Sequence, residues 1–223
     1  MKYLLYFSAF IVILSCTRPP ELDDTPQISF ENIAFREASN NQELILDIYF
    51  QDGDGDLGLR PEETFPPYNR RNEMTDEFGE VIQYSKRNEI DTLPLFNVKD
   101  WWVIRDPAED NKILDTIYAP LHPNHFNIFV NFYVIENDEP KIFDFSEELN
   151  VLGYDGRFPI LFDDINNERA LEGSLRYKME SSGWQDIFSI DSLQLEVYIQ
   201  DRALNKSNTI TTPRFTLQGI KIN

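Results

Sequence analysis

The chain contains a series of short runs in which apolar and polar residues alternate, and this pattern constrains its fold more than any other feature. The run SLQLEVYIQ (192–200) is the clearest, because its leucine, valine and isoleucine residues occupy every second position and so share one face of a strand. No long run has the 3.6-residue period of a helix, so the sequence predicts an all-β domain built as an antiparallel sandwich. We expect further strands within residues 27–35, 43–50, 126–136, 141–147, 157–162, 172–180 and 209–220.

The region from about residue 60 to residue 125 lacks this pattern. It is charged, it carries Pro66-Pro67, and only the segment LFNVKDWWVIRD (95–106) is typical of a strand. We therefore predict one domain over residues 27–223, with a long insertion after the second strand that holds a hairpin or a short helix. Insertions of this length are uncommon in compact domains unless they have a function.

The first sixteen residues indicate export and lipid attachment. The apolar run from Tyr3 to Leu14 is shorter than the ~20 residues that a membrane-spanning helix needs, and it has the length of a signal-peptide core. Its end, ILSC, resembles a bacterial lipoprotein signal, which implies a signal peptide over residues 1–15 and acylation of Cys16. A plain secretory signal and an N-terminal buried strand are the alternatives.

A tether is predicted between the lipid and the folded body. Residues 16–26 contain the cysteine followed by TRPPELDDTP, which has three prolines and no apolar periodicity. Polyproline geometry gives about 3 Å per residue, so the body could stand about 30 Å from the membrane. Covalent lipid on Cys16 and the membrane itself are thus the first predicted cofactor and partner.

The charge of the chain restricts its partners. The formal net charge is −19, from 39 acidic and 20 basic residues, and no basic patch interrupts it. Such a surface repels nucleic acid and attracts cations, so we expect no nucleic-acid partner. Cys16 is the single cysteine, which excludes an internal disulfide.

An acidic string, QDGDGDLGLRPEE (51–63), follows the second predicted strand. Its aspartates Asp52, Asp54 and Asp56 alternate with Gly53 and Gly55. Calcium prefers six to eight hard oxygen ligands, and carboxylates on alternate residues of a curling loop can converge on one ion. The glycines allow the backbone to turn at low steric cost. We predict a structural Ca²⁺ site here, with a solvated turn as the alternative.

Further ligands follow from the spacing of an EF-hand loop. With Asp52 at position 1, the Gly58 carbonyl falls at position 7 and Glu63 at position 12. The match is incomplete, because Leu57 occupies the position of the usual glycine. Asp201, with Asn205, would complete the shell if the late strand that precedes it lies beside residues 43–50.

Other candidate sites have less support. Trp101 and Trp102 could bind a glycan by stacking, although neighbouring strand residues point to opposite faces and only one of them would face outwards. His122 and His125 are the only histidines and are interpreted as ordinary loop residues. No nucleophile elbow, Walker A or zinc-protease string occurs, so we expect no catalytic residues and no enzyme activity.

Two segments resemble a known group of proteins. IYFQDGDGDLG (48–58) and VYIQDRALNKSNTITTPRFTL (197–217) are similar to uncharacterised Bacteroidota lipoproteins with an immunoglobulin-like sandwich. The resemblance implies an outer-membrane location, on the periplasmic or the cell-surface side, and no established activity. The sequence thus predicts a non-enzymatic accessory, scaffold or binding subunit of an envelope protein assembly. A glycan-binding surface lipoprotein is the alternative, and a hydrolase ranks third.

Overall fold

β-strands dominate the structure, a computed structural model that describes residues 22–38, 41–89, 92–161 and 169–222. The predicted signal peptide and Cys16 lie outside these ranges. Within these ranges there are two α-helices of a single turn each, α1 (Phe145–Glu148) and α2 (Trp184–Phe188). The expected all-β class is thus confirmed. The strands are β1 (Gln27–Ala38), β2 (Asn41–Asp52), β3 (Trp101–Asp106), β4 (Lys112–Tyr118), β5 (Ile128–Glu136), β6 (Glu139–Phe143), β7 (Leu171–Ser181), β8 (Leu193–Ile199), β9 (Ile210–Thr211) and β10 (Lys221–Ile222).

The strands form two four-stranded sheets and a separate hairpin. One sheet has the order β10-β1-β2-β7 and the other β6-β5-β8-β9, while β3 pairs with β4 alone. All pairs between these strands are antiparallel except β1 with β10, which is parallel. The strand β2 is central in its sheet, and β8 is central in the other.

One hydrophobic core serves both four-stranded sheets. Alternate side chains of β8, from Leu193 to Ile199, are buried in it together with Leu44, Leu46 and Ile48 of β2. The period of two that marked these runs in the sequence is therefore the period of burial. Because β2 and β8 contribute to the same core from different sheets, they are neighbours across the core rather than along a ladder.

Two strands predicted from the sequence differ in the structure, and local hydrogen bonds accompany each difference. Residues 157–161 form no strand, because the side-chain amide of Asn127 bonds both the N–H and the carbonyl of Phe158, at 2.8 and 2.9 Å. The predicted strand 141–147 ends at Phe143. There Asp144 accepts a hydrogen bond from the Ser146 N–H and begins α1 instead.

The insertion, which we call the excursion (residues 60–125), packs on itself. Trp101 is 2% exposed and contacts the rings of Tyr84 and Tyr118, and its indole N–H donates to the Pro94 carbonyl. Among the described residues, the core shared by the two sheets receives no side chain from the excursion. The excursion is thus a separate packing unit, and polar contacts matter for its attachment.

A half-buried arginine holds the excursion together. The guanidinium of Arg71 donates to three backbone carbonyls, those of Val98, Lys99 and Ala119, at 2.7, 3.1 and 2.6 Å. These carbonyls belong to segments outside the named strands, and two backbone hydrogen bonds, from Leu121 to Lys99 and from Ala119 to Asp100, also join those segments. The fork of donors adds to these bonds. A lysine ammonium cannot reproduce this planar geometry.

We expect Arg71→Lys to loosen the excursion and to leave the two-sheet body intact. Amide exchange should become faster over residues 97–121 and stay unchanged in β5 and β8, as measured by hydrogen–deuterium exchange with mass spectrometry. Arg70→Lys is the matched control, since that neighbouring side chain is exposed. Equal effects of the two substitutions would contradict the role given to Arg71.

Candidate metal centre

Three aspartate carboxylates meet at one end of the body. Asp52 is the last residue of β2, Asp56 lies four residues further in the loop, and Asp201 follows the end of β8. Each offers an oxygen atom within 4.8 Å of the oxygens of the other two. Residues almost 150 positions apart in the chain thus bring three negative charges to one point.

Asp52 has no hydrogen-bond partner of normal geometry within the described part of the protein. Its side chain is 0% exposed, and the one donor that acts on its carboxylate is the Asp56 N–H, which lowers its pKa without forming a regular hydrogen bond. A buried polar group without a partner costs free energy, and a buried charge costs more, so such groups are rare in folded proteins. The oxygens of Asp56 and Asp201 are the nearby groups, and they repel it. The three carboxylates are therefore a candidate cation site.

The electrostatics of the cluster agree with this geometry. Burial raises the pKa of Asp52 to about 7, and repulsion from Asp54, Asp56 and Asp201 adds to the rise. Burial raises the pKa of Asp56 to about 6, with repulsion from Asp201 and Asp54 adding to the rise and the hydrogen bonds from the Arg202 and Ala203 N–H groups lowering it. Burial also raises the pKa of Asp201, against the hydrogen bonds from Asn205 that lower it. A bound cation would favour the ionised form of all three carboxylates.

Backbone and amide donors orient two of the ligands. The Asp56 carboxylate accepts hydrogen bonds from the N–H groups of Arg202 and Ala203, at 3.3 and 2.9 Å. The Asp201 carboxylate accepts from the N–H and the side-chain amide of Asn205, at 2.7 and 2.9 Å. Each carboxylate oxygen has two lone pairs, so both groups can still bind an ion.

The glycines of the string allow other segments to approach the loop backbone. A Cβ atom at Gly53 would lie 2.5 Å from the Leu22 carbonyl oxygen. At Gly55 (φ +73°) it would lie 2.2 Å from the Arg169 carbonyl oxygen, and at Gly58 (φ +100°) 2.3 Å from the Pro159 carbonyl oxygen. Only glycine fits such contacts. The alternation of Asp and Gly is therefore a packing requirement as well as a ligand pattern.

Glu63, which the EF-hand spacing predicted as a ligand, does not lie in the carboxylate cluster. Both of its oxygens accept hydrogen bonds from the Arg202 guanidinium, at 2.6 and 2.7 Å, so this carboxylate is paired with an arginine outside the cluster. Asp54 is half-buried, also lies outside the group of three, and accepts a long hydrogen bond of 3.4 Å from the Asp56 N–H. Gly58 serves backbone packing in the structure, and its predicted carbonyl ligand stays a prediction.

Asp201 reaches the site by a route that differs from the prediction. Its strand, β8, does not pair with β2, because the two belong to different sheets. They reach the same end of the shared core, and there the carboxylate of Asp201 meets that of Asp52. The structure thus places Asp201 in the cluster, although the strand pairing from which it was predicted does not occur, and its role as a metal ligand stays a prediction.

The remaining candidates are separate from the cluster. Trp101 is buried in the excursion, whereas Trp102 is 45% exposed, as expected for adjacent strand residues. His122 accepts a hydrogen bond from the Asn124 N–H, and His125 lies 3.0 Å from the Tyr68 carbonyl, so both have local structural contacts. Burial lowers the pKa of His125. Cys16 lies outside the described residues.

Sequence reasoning missed the arginines next to the site. Arg202 pairs with Glu63, and Arg157 donates to the backbone carbonyls of Arg60 and Glu63. The available signal was the string QDRALN (200–205), in which a base directly follows the predicted ligand Asp201.

Comparison with protein-family models, with curated proteins and with solved structures gives no match for this chain. Within residues 22–38, 41–89, 92–161 and 169–222, none of the helices has the length and apolar character needed to cross a membrane. Functional inference therefore depends on the geometry of the site itself.

Asp52→Asn should change both the stability of the protein and its response to a cation. In EGTA the variant should melt at a higher temperature than the wild type, because it removes an unpaired buried charge and adds amide donors for its neighbours. We expect this difference to be about 1–3 kcal/mol in the free energy of unfolding. In millimolar Ca²⁺ the difference should shrink by up to about 1.4 kcal/mol, because the wild type is stabilised by the ion and the variant, which lacks a ligand, is not.

Thermal melting followed by circular dichroism in both conditions tests this expectation. Asp54→Asn, which removes a charge from the same loop outside the group of three, is the matched control and should keep most of the rise in melting temperature that Ca²⁺ gives the wild type. An Asp52→Asn variant that is less stable than the wild type in EGTA would contradict the interpretation of Asp52 as a buried charge that lacks compensation without a cation.

Proposed function

We propose that this chain is a non-enzymatic envelope lipoprotein whose all-β body is stabilised by a structural calcium ion. The observation that supports the calcium site is the carboxylate of Asp52, which is fully buried without a hydrogen-bond partner and faces two further carboxylates. Three hard oxygen ligands without histidine or cysteine favour Ca²⁺ over zinc or copper. Backbone carbonyls or waters would complete the coordination.

A structural role for the ion fits the burial of the site. Asp52 and Asp201 are buried, and Asp56 is half-buried beneath the Arg202 loop, so a substrate could not reach the ion as it reaches a catalytic metal with an open position. The ligands instead join the end of β2 to the end of β8. We infer that the ion fastens the two sheets together at this end.

The finer fold class belongs to this proposal as well. Two four-stranded sheets that share one core, with largely antiparallel pairing, support an immunoglobulin-like sandwich. The resemblance of residues 48–58 and 197–217 to Bacteroidota lipoproteins points in the same direction. Outer-membrane attachment through Cys16, on the periplasmic or the cell-surface side, is the location that we propose.

The accessory role rests on the absence of catalytic strings in the sequence and on the form of the excursion. Large apolar side chains are exposed there, among them Phe65, Phe78 and Leu95. Exposed apolar groups on a separately packed unit favour contact with another protein. We propose a subunit or scaffold in an envelope assembly, with an outer-membrane protein as its partner.

Calcium binding is the first test. The purified mature protein should bind Ca²⁺ in isothermal titration calorimetry, with a Kd in the range ~10⁻⁴–10⁻³ M of many extracellular modules. At a Ca²⁺ concentration ~10 times the Kd, linkage gives about 1.4 kcal/mol. This amounts to a rise of about 3–5 °C in Tm for a domain of this size. No heat of binding and an unchanged Tm would refute the calcium site.

Lipid attachment and the partner have separate tests. Mass spectrometry of the native protein should find residue 16 as an acylated N-terminus, and Cys16→Ala should release the protein from the membrane fraction. Purification in mild detergent should recover a stoichiometric envelope protein. An unmodified Cys16 would refute the anchor, and a protein purified without any partner would count against the accessory role.

The exposed indole of Trp102 favours glycan binding as a second candidate function. Indole faces stack on sugar rings, and 45% of this side chain is open to solvent. Trp102→Ala should then abolish retention on a polysaccharide affinity gel. Ile113→Ala, which truncates another exposed side chain of the same hairpin, is the control and should leave retention unchanged.

A further inference from the structure

We propose that the cation site controls how firmly the base of the excursion, residues 60–68, is held against the body. This inference rests on the proposed calcium site and adds a regulatory role to it. With the ion bound, the base is fixed through Arg202. Without the ion, this attachment loosens while the rest of the body stays folded.

The first step is that two ligands of the ion also hold the loop that carries Arg202. The Asp56 carboxylate accepts the N–H groups of Arg202 and Ala203. The Asp201 carboxylate accepts two hydrogen bonds from Asn205, which closes the loop 201–205 from its other end. The position of this loop therefore depends on where the two carboxylates lie.

The second step is that Arg202 holds the base of the excursion. Its guanidinium forms a bidentate ion pair with Glu63, and this pair is mostly shielded from solvent. Its backbone carbonyl accepts the Tyr68 hydroxyl at 2.6 Å. Glu63 in turn accepts the Arg60 N–H at 2.7 Å, which fixes the first turn of the excursion. Arg202 thus connects the loop held by the ion's ligands to both Glu63 and Tyr68 in the base of the excursion.

The third step is that the other contacts that attach the excursion to the body do not involve the three predicted ligands of the ion. Arg157 donates to the carbonyls of Arg60 and Glu63, and Lys99 pairs with Asp144 at 2.7 Å on a different part of the excursion. None of the excursion's described side chains enters the shared core. Loss of the Arg202 attachment would therefore loosen the base without detaching the whole excursion.

Repulsion supplies the driving force for this change. Without a cation, the carboxylates of Asp52, Asp56 and Asp201 repel one another at close range. Asp52 is fixed at the end of the central strand β2, whereas Asp56 lies in the loop and is less buried. We expect Asp56 to move away and to take with it the hydrogen bonds that position Arg202.

Hydrogen–deuterium exchange of the mature protein in detergent, with Ca²⁺ or with EGTA, tests the coupling. Exchange in EGTA should be faster over residues 60–68 and 201–205. It should be unchanged in β5 and near Lys99. Absence of Ca²⁺ binding in calorimetry would overturn both this inference and the proposed site. Binding with equal exchange of residues 60–68 in the two conditions would overturn the coupling alone.

A pair of variants separates the coupling from simple charge effects. Glu63→Gln breaks the ion pair with Arg202 but leaves the three ligands in place. Because coupling between two sites is reciprocal, it should weaken Ca²⁺ binding about 5-fold or more and abolish the Ca²⁺ protection of residues 60–68. Glu62→Gln makes the same change of charge at an exposed position and should alter neither. Equal weakening by both variants would overturn the inference.

Discussion

The buried carboxylate of Asp52 is the constraint around which this end of the molecule is arranged. It terminates a central strand, where the pairing of β2 with β7 places its backbone opposite Leu171 and its side chain is fully buried. A charge in this position is tolerated only if another group compensates it. The nearest carboxylates are acidic as well, so compensation can come from a proton, which the raised pKa of Asp52 allows, or from the cation that we propose. The loop after β2 and the loop after β8 supply the other two carboxylates of the cluster.

Much of the fold was predictable because one physical rule, the period of two, governs burial in strands. It located β2, β7 and β8 well. It failed at residues 157–161, where the amide of Asn127 takes the place of a neighbouring strand, since such a contact leaves no periodic signal in the sequence. A hairpin or a short helix was expected inside the excursion, and the structure has the hairpin of β3 and β4, but the packing around Trp101 depends on residues far apart in the chain.

The candidate site was predictable only in part, for a similar reason. Asp52 and Asp56 were evident from local spacing, because an acidic string next to a strand end is a local signal. Glu63 was assigned from the spacing of a calcium-binding loop that joins two helices. Here the acidic string follows a strand, so the backbone takes a different course and the Glu63 carboxylate pairs with Arg202. Asp201 lies across the core from β2, and contacts between sheets cannot be derived from one-dimensional spacing.

The position of the site also relates the tether to the excursion. The Gly53 N–H donates to the Asp23 carbonyl at 2.8 Å, so the chain that leads to the proposed anchor joins the body beside Asp52. On the other side of the cluster, Arg202 holds Glu63 at the base of the excursion. An ion between these two points would fix the direction of the excursion relative to the tether. For a protein held to a membrane at one end, that direction decides which surface faces a neighbouring molecule, so a structural ion here would bear on function as well as on stability.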